Sequence, residues 1–241
     1  MSPDHSIESP PPAEFHQALE QMHIELEPGE LEQHATYLRI LAEANQTMNL
    51  TRIVQPDQAW MRHVLDGLTL VPLVQAAEAG TLCDIGSGGG VPGLILAISM
   101  PRVEVVLLEA TGKKAAFLER CAAELGCENV RVVHARAEHV GAPGKELREH
   151  FDVVTARAVG RLPMLLELAM PLVRVEGYFI AVKGEQVEQE IREAGNALRT
   201  LATEHVELTR TPTGRLALFH KLRATPETYP RQSGEPTRRP L

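Results

Sequence analysis

The sequence predicts an α/β fold: a mostly parallel, doubly wound sheet preceded by an N-terminal helical extension. Three observations predict it. From residue 81 to about 203, short β-branched runs alternate with stretches of helical spacing, which is the pattern of parallel sheets. Hydrophobic residues make up 44% of the chain but aromatics only 4%, the aliphatic interior that a sheet covered on both faces requires. One strand-like run, Thr81–Ile85, passes directly into Gly86-Ser87-Gly88-Gly89-Gly90-Val91-Pro92-Gly93, an order that reads strand, tight loop, helix start.

The elements follow in order. Residues 1–13 are rich in proline and are expected to be disordered. Residues 14–26, 29–47 and 56–72 read as helices, with Leu31, Leu38 and Leu41 on one face and Pro28 marking the second start. Strands are expected near 81–85, 103–109, 130–134, 151–156 and 177–183, with helices at 92–100 and 113–125. Two further runs, 206–210 and 215–221, flank Thr211-Pro212-Thr213-Gly214 and read as a hairpin. The expected organisation is a terminal segment 1–13, a helical extension 14–73, a sheet domain 74–223 and a basic tail 224–241.

The glycine loop carries the first chemical signal. Glycine permits positive φ and close approach of a ligand, and Pro92 suits a first helical turn. A helix N-terminus also offers N–H groups to anionic or polar ligand groups. The next strand ends in Glu109, close to the spacing at which an acid meets ribose hydroxyls in βαβ nucleotide sites. A carboxylate accepts hydrogen bonds from both vicinal hydroxyls, so this position calls for Asp or Glu.

Two cofactor classes share that geometry. A nicotinamide dinucleotide brings a pyrophosphate. S-adenosyl-L-methionine brings no phosphate, but it does bring a sulfonium and an amino group. Asp84, directly before the loop, repels a pyrophosphate and tolerates a cation. The pattern Asp84-x-Gly86-x-Gly88-x-Gly90 therefore favours adenosylmethionine, with the dinucleotide as the alternative.

Composition bounds the remainder. At 241 residues the chain fits one domain with a decorated terminus. Cys83, Cys121 and Cys127 show neither paired nor metal-ligand spacing, and the histidines do not cluster, so no metal site is expected. His63 reads as a packed or hydrogen-bonded residue rather than a catalyst. With no leader and no bilayer-length apolar run, a reduced, cytoplasmic, monomeric protein is expected. The net charge of −8 does not suggest a nucleic-acid binder. From Arg210 to Leu241, however, seven basic residues face only Glu227 and Glu235, and a local basic surface is enough to contact phosphates.

Separated motifs in a fixed order carry a resemblance. The segment 84–93 resembles the cofactor loop of the bacterial small-subunit rRNA methyltransferase family also called glucose-inhibited division protein B. Asn49-Leu50-Thr51-Arg52-Ile53, Arg62-His63-Val64-Leu65-Asp66-Gly67, Gly112-Lys113-Lys114, Thr155-Ala156-Arg157-Ala158 and Val182-Lys183-Gly184 are similar to it as well. So is the tail from Tyr229 to Leu241, so that the resemblance spans roughly residues 30–241. Ser87 stands where members often carry Thr, and Glu109 where they often carry Asp.

The resemblance implies a Rossmann-like class I S-adenosylmethionine-dependent methyltransferase with a seven-stranded, mostly parallel sheet and a reversed final strand. It implies methyl transfer to N7 of one guanine in 16S rRNA of the small ribosomal subunit. The implied cofactor contacts are Asp84, Gly86, Gly88, Val91, Glu109, Ala110, Thr111, Ala137, Glu138 and Arg157. Candidate RNA contacts are Arg52, Arg62, Lys113, Lys114, Lys183, Arg231, Arg238 and Arg239. Lys113 and Lys114 open a helix, where cations oppose the dipole, which points to a role other than helix stability.

Guanine N7 has a free lone pair at neutral pH, so no general base is required. Asp84 is a candidate for an electrostatic role, with a purely structural role equally open, and Arg157 is a candidate for a substrate role. The alternatives are a methyltransferase acting on another RNA, a nicotinamide-dependent oxidoreductase on the same βαβ platform, and a non-catalytic RNA-binding module.

Overall fold

The computed structural model describes residues 10–241. The expectation of a disordered 1–13 falls mostly outside the described residues, and Ala13 already belongs to a helix. In chain order the elements are α1 (Ala13–Gln21), α2 (Glu30–Met48), α3 (Pro56–Ala59), a π-helical turn (Trp60–Leu65), α4 (Asp66–Leu68) and α5 (Val71–Ala76). Then follow β1 (Thr81–Ile85), α6 (Gly93–Ser99), β2 (Glu104–Glu109), α7 (Gly112–Leu125), β3 (Val130–His134), α8 (Ala137–Val140) and β4 (Phe151–Arg157). The chain continues through α9 (Leu162–Ala169), β5 (Val173–Lys183), α10 (Val187–Glu193), α11 (Gly195–Thr200), β6 (Thr203–Arg210), β7 (Arg215–Lys221) and α12 (Glu235–Arg238).

Among the described residues one seven-stranded sheet forms, in the order β3-β2-β1-β4-β5-β7-β6. Its pairs are parallel except at β7, which runs antiparallel to both neighbours. The order reverses between β1 and β4, and ligands of open α/β sheets bind outside the strand carboxyl ends at such a point. That is where the glycine loop leaves β1.

Alternation along the strands makes two cores. Leu82, Leu107, Val153 and Ile180 join one cluster with α1, α2, the π-turn, α6 and α7. Cys83, Leu108, Val154 and Phe179 join the other, with α9 and with Tyr229 and Leu241 of the C-terminal segment. Side chains two residues apart share a face, so the clusters lie on opposite sides of the sheet. The N-terminal helices therefore share a continuous core with the sheet. They also reach the loop itself: the buried Tyr37 hydroxyl donates to the Gly89 carbonyl at 2.9 Å.

Three boundaries differ from the sequence reading by four residues or more. The first helix ends at Gln21 because His23 takes φ 53°, turning Ile24 and Leu26 onto the core. The helix expected at 56–72 is broken by the π-turn and reaches Ala76. The fifth strand starts at Val173 rather than 177, with a register shift against β4. Gly177 sits in that irregularity, where a Cβ would come within 2.8 Å of the Asp152 carbonyl.

Candidate functional site

The glycine loop turns its backbone N–H groups inward. Gly86 N–H donates to the Leu108 carbonyl at 2.7 Å, Gly90 N–H to the Ser87 carbonyl at 2.6 Å and Leu94 N–H to the Gly90 carbonyl at 2.7 Å. Gly88 N–H donates to Glu109 Oε2 at 3.0 Å, and Gly93 N–H to Asp84 Oδ2 at 3.2 Å. Most of the donors that the sequence offered to an anionic or polar ligand group are therefore already bonded within the protein. A pyrophosphate needs such donors, so the loop favours a ligand without phosphate.

Asp84 is placed differently from the sequence reading. Its carboxylate is fully buried, with Oδ1 accepting the Thr155 hydroxyl at 3.0 Å and Oδ2 holding Gly93. It fastens the helix start to β4 instead of lining the cleft. Burial pushes its pKa up to about 6, and hydrogen bonds from Thr155, Ser87 and Gly93 oppose that rise. Gly93 must be glycine here, since a Cβ would lie 2.3 Å from Leu107 and 2.9 Å from Asp84 Oδ2. Val91 is buried in the core, which leaves its backbone as the part able to meet a ligand.

The cleft floor is small and open. Gly86, Ala110, Thr111 and Ala158 are exposed at the carboxyl ends of β1, β2 and β4. Glu109 lies beneath them, only 5% exposed, with Oε1 accepting the Thr111 N–H at 2.7 Å. Two carboxylate oxygens offer about four acceptor sites, so the two bonds to backbone leave capacity for two hydroxyls. Beyond β3, Ala137 is buried and Glu138 half-buried at the start of α8, where Glu138 Oε1 accepts the Gly234 N–H at 3.0 Å. An added Cβ at Gly86 would lie 2.9 Å from Val159 Cγ2, so any larger residue fills the cleft between the loop and the β4 end.

Arg157 stands at the end of β4, opposite the start of the glycine loop, since Ile85 pairs with Ala156. Its Nη1 donates to Asp66 Oδ2 and to the Arg62 carbonyl, each at 2.6 Å, and its Nη2 lies 3.3 Å from His63 Nδ1. Asp66 Oδ1 accepts the Thr213 hydroxyl at 2.5 Å, and Arg62 Nη1 donates to the Thr213 carbonyl at 2.6 Å. The structure thus unites residues from three separated segments, 62–66, 157 and 213. His63 and Asp66 were passed over as site residues. Their i,i+3 spacing on one helix face was the available signal, whereas the π-turn that aims them had none.

Several expected phosphate contacts are committed elsewhere. Lys183 is nearly buried: its Nζ donates to Glu190 Oε2 at 2.6 Å and to the Gly160 carbonyl at 2.5 Å, pinning the loop after β4. Arg231 forms a bidentate pair with the fully buried Glu167, at 2.8 and 2.5 Å, so it anchors the C-terminal segment. Neither presents a free cation. Arg52, Arg62, Lys113, Arg238 and Arg239 are exposed, and Lys114 is half-exposed. Among the described residues no group of three or more His, Cys, Asp or Glu could hold a metal, and no helix is long and apolar enough to cross a membrane.

The open glycine floor, the spare acceptors of Glu109 and the mostly bonded loop amides fit S-adenosylmethionine better than a dinucleotide. Comparison with known proteins agrees with the architecture. The chain covers 90% of itself and 99% of cofactor-bound Rv0187 from MTB in superposition, with TM-score 0.58 and 19% identity. An SAM-dependent O-methyltransferase from Thermotoga maritima superposes with TM-score 0.51 and 17% identity over 76% of this chain and 71% of that one. At such identity these likenesses speak for the fold alone.

Sequence relatives speak more specifically. Ribosomal RNA small subunit methyltransferase G of Sorangium cellulosum is 44% identical over 221 residues, 91% of this chain and 92% of the relative. Proteins of the same name from Desulfitobacterium hafniense and Lactobacillus delbrueckii subsp. bulgaricus are 41% and 40% identical, covering 92% and 95% of this chain and 94% and 99% of theirs. The family model for rRNA small subunit methyltransferase G, GidB, matches residues 30–218. The chain belongs to that family.

Proposed function

We propose that the protein methylates N7 of a specific guanine in 16S rRNA, with S-adenosylmethionine as methyl donor. The observation that carries the cofactor assignment is the glycine loop, where the N–H groups of Gly86, Ser87, Gly88, Gly90 and Gly93 are bonded within the protein, beside a Glu109 carboxylate with acceptor sites to spare. Family membership and the resemblance of the separated motifs support the acceptor, 16S rRNA or the small subunit.

The cofactor, when bound, supplies a methyl group on a positively charged sulfur. In this reading Glu109 orients the ribose through its remaining acceptor sites, and the segment at Ala137–Glu138 borders the adenine. N7 would offer a free lone pair to that methyl group, so no residue of the chain would be needed to take a proton from the nucleophile. The protein's task is to align the reacting atoms and exclude wrong approaches, and alignment alone is worth several kcal/mol, about 7 or more in favourable cases. The histidine at the site is not asked to act as base. His63 is buried and neutral, its pKa pushed down to about 4 by burial and by Arg157. In this reading the exposed Arg52, Arg62, Lys113, Arg238 and Arg239 and the half-exposed Lys114 supply phosphate contacts.

Methyl-labelled S-adenosylmethionine, incubated with this protein and with 16S rRNA or small subunits from cells lacking the gene, tests the proposal. Label is expected in 7-methylguanine at one position. Label in another base, or none with cofactor still bound, would overturn the acceptor and leave the cofactor assignment standing.

A further inference from the structure

The strongest unexplained feature is the cluster around the Arg157 guanidinium. Three of its five N–H donors are taken by the segment 62–66, through the Arg62 carbonyl, Asp66 and His63. The partners are themselves held. For His63 Nδ1 to accept from Arg157, the ring proton must sit on Nε2, which reaches the Thr51 hydroxyl at 3.1 Å. Asp66 is fixed on its far oxygen by Thr213. Both residues are nearly buried, at 2% and 7% exposure.

The π-helical turn Trp60–Leu65 is a second, independent observation. Such turns are rare and collect at functional sites. Here it lies between two short α-helical segments, and it sets the Arg62 carbonyl, His63 Nδ1 and the Asp66 carboxylate around one guanidinium. A structural ion pair needs one carboxylate. This arrangement spends a carbonyl, a neutral imidazole and a carboxylate on a side chain that still keeps 24% of its surface exposed.

We infer that His63 and Asp66 are positioning residues that fix the Arg157 guanidinium, leaving its two remaining N–H donors for the carboxylate of bound S-adenosylmethionine. The inference rests on the cofactor reading above. A guanidinium edge matches a carboxylate in planar, paired geometry, and Arg157 stands across from Gly86 on the cleft floor. His63 adds orientation without charge, so it holds the arginine and does not compete with the ligand for it.

Binding of S-adenosylhomocysteine, measured by calorimetry, tests this in single and double variants, with thermal unfolding run on each. Arg157→Ala and Asp66→Ala are each expected to weaken binding by about tenfold, the scale of a charged hydrogen bond. Asp66→Asn, which keeps an acceptor, is expected to recover most of that loss. Adding Asp66→Ala or His63→Ala to Arg157→Ala is expected to cost nothing further, because both act through the arginine. Losses that add in the double variants would overturn the positioning role. Unchanged binding in Arg157→Ala, with binding abolished in Gly86→Glu, would overturn it while leaving the cofactor site in place. Unchanged binding in both would remove the cofactor reading too.

Discussion

The N-terminal helices and the C-terminal segment both lie outside the alternating strands and helices, on opposite faces of the sheet. The N-terminal helices look unremarkable in charge, yet they bring Tyr37 to the glycine loop and His63 and Asp66 to the end of β4. The C-terminal segment looks like an RNA-binding tail, yet its central arginine is spent on Glu167. Before it, Lys221 is fully buried against Glu149 and two carbonyls, and Arg148 holds the Thr225 and Tyr229 carbonyls. Sequence charge is therefore a poor guide to surface charge. A carboxylate buried on a neighbouring element decides which cations are left for a partner.

The largest expected effect falls on the C-terminal segment. Arg231→Ala leaves the Glu167 carboxylate fully buried without its partner, and breaking a pair that way costs about 3–5 kcal/mol. Urea unfolding should show that loss while the folded variant binds S-adenosylhomocysteine as the wild type does. A neutral stability result would return Arg231 to the list of RNA contacts.

A smaller effect separates strap from surface. The Arg238 and Arg239 side chains are exposed on the anchored segment, so Arg238→Glu/Arg239→Glu is expected to weaken rRNA association several-fold, roughly as the loss of two phosphate contacts would. Its salt dependence should flatten and its cofactor affinity should not change. Equal rRNA affinity across salt concentrations would make the whole segment structural.

The smallest effect is a pair of opposed pH dependences beside the cleft. Asp84 has a folded pKa raised to about 6 from 3.8, so the native state holds the extra proton and stability falls as pH rises between those values. His63 is lowered to about 4 from 6.5, so the unfolded state holds the extra proton and stability rises over that interval. The two partly cancel in the wild type. Asp84→Asn should unmask the rise and His63→Gln the fall, read as urea midpoints between pH 4 and 7. Parallel curves for both variants would contradict the assignment.

Much of the fold was legible because it rests on local pattern. The strand Thr81–Ile85, the glycine loop and the hairpin turning at Thr211–Gly214 follow from alternation and turn chemistry, and the seven strands with a reversed final one follow from the methyltransferase resemblance. The place of Glu109 beside the loop was legible because its spacing from the loop is set by one βαβ unit. The buried tie of Asp84 was not legible because its partner Thr155 lies 71 residues away in sequence, on the neighbouring strand. The ties of Lys183 and Arg231 were hidden for the same reason, their carboxylate partners lying on α10 and α9. The π-turn left no signal, since its residues keep the apolar spacing of an ordinary helix.

Hydrogen exchange with and without S-adenosylhomocysteine tests the contrast between the two ends most directly. Added protection is expected over 84–93, 109–111 and 157–160, and over 60–67 through Arg157, with none over 222–232. Protection confined to the C-terminal segment, or absent from 60–67, would contradict a cleft built by the N-terminal helices.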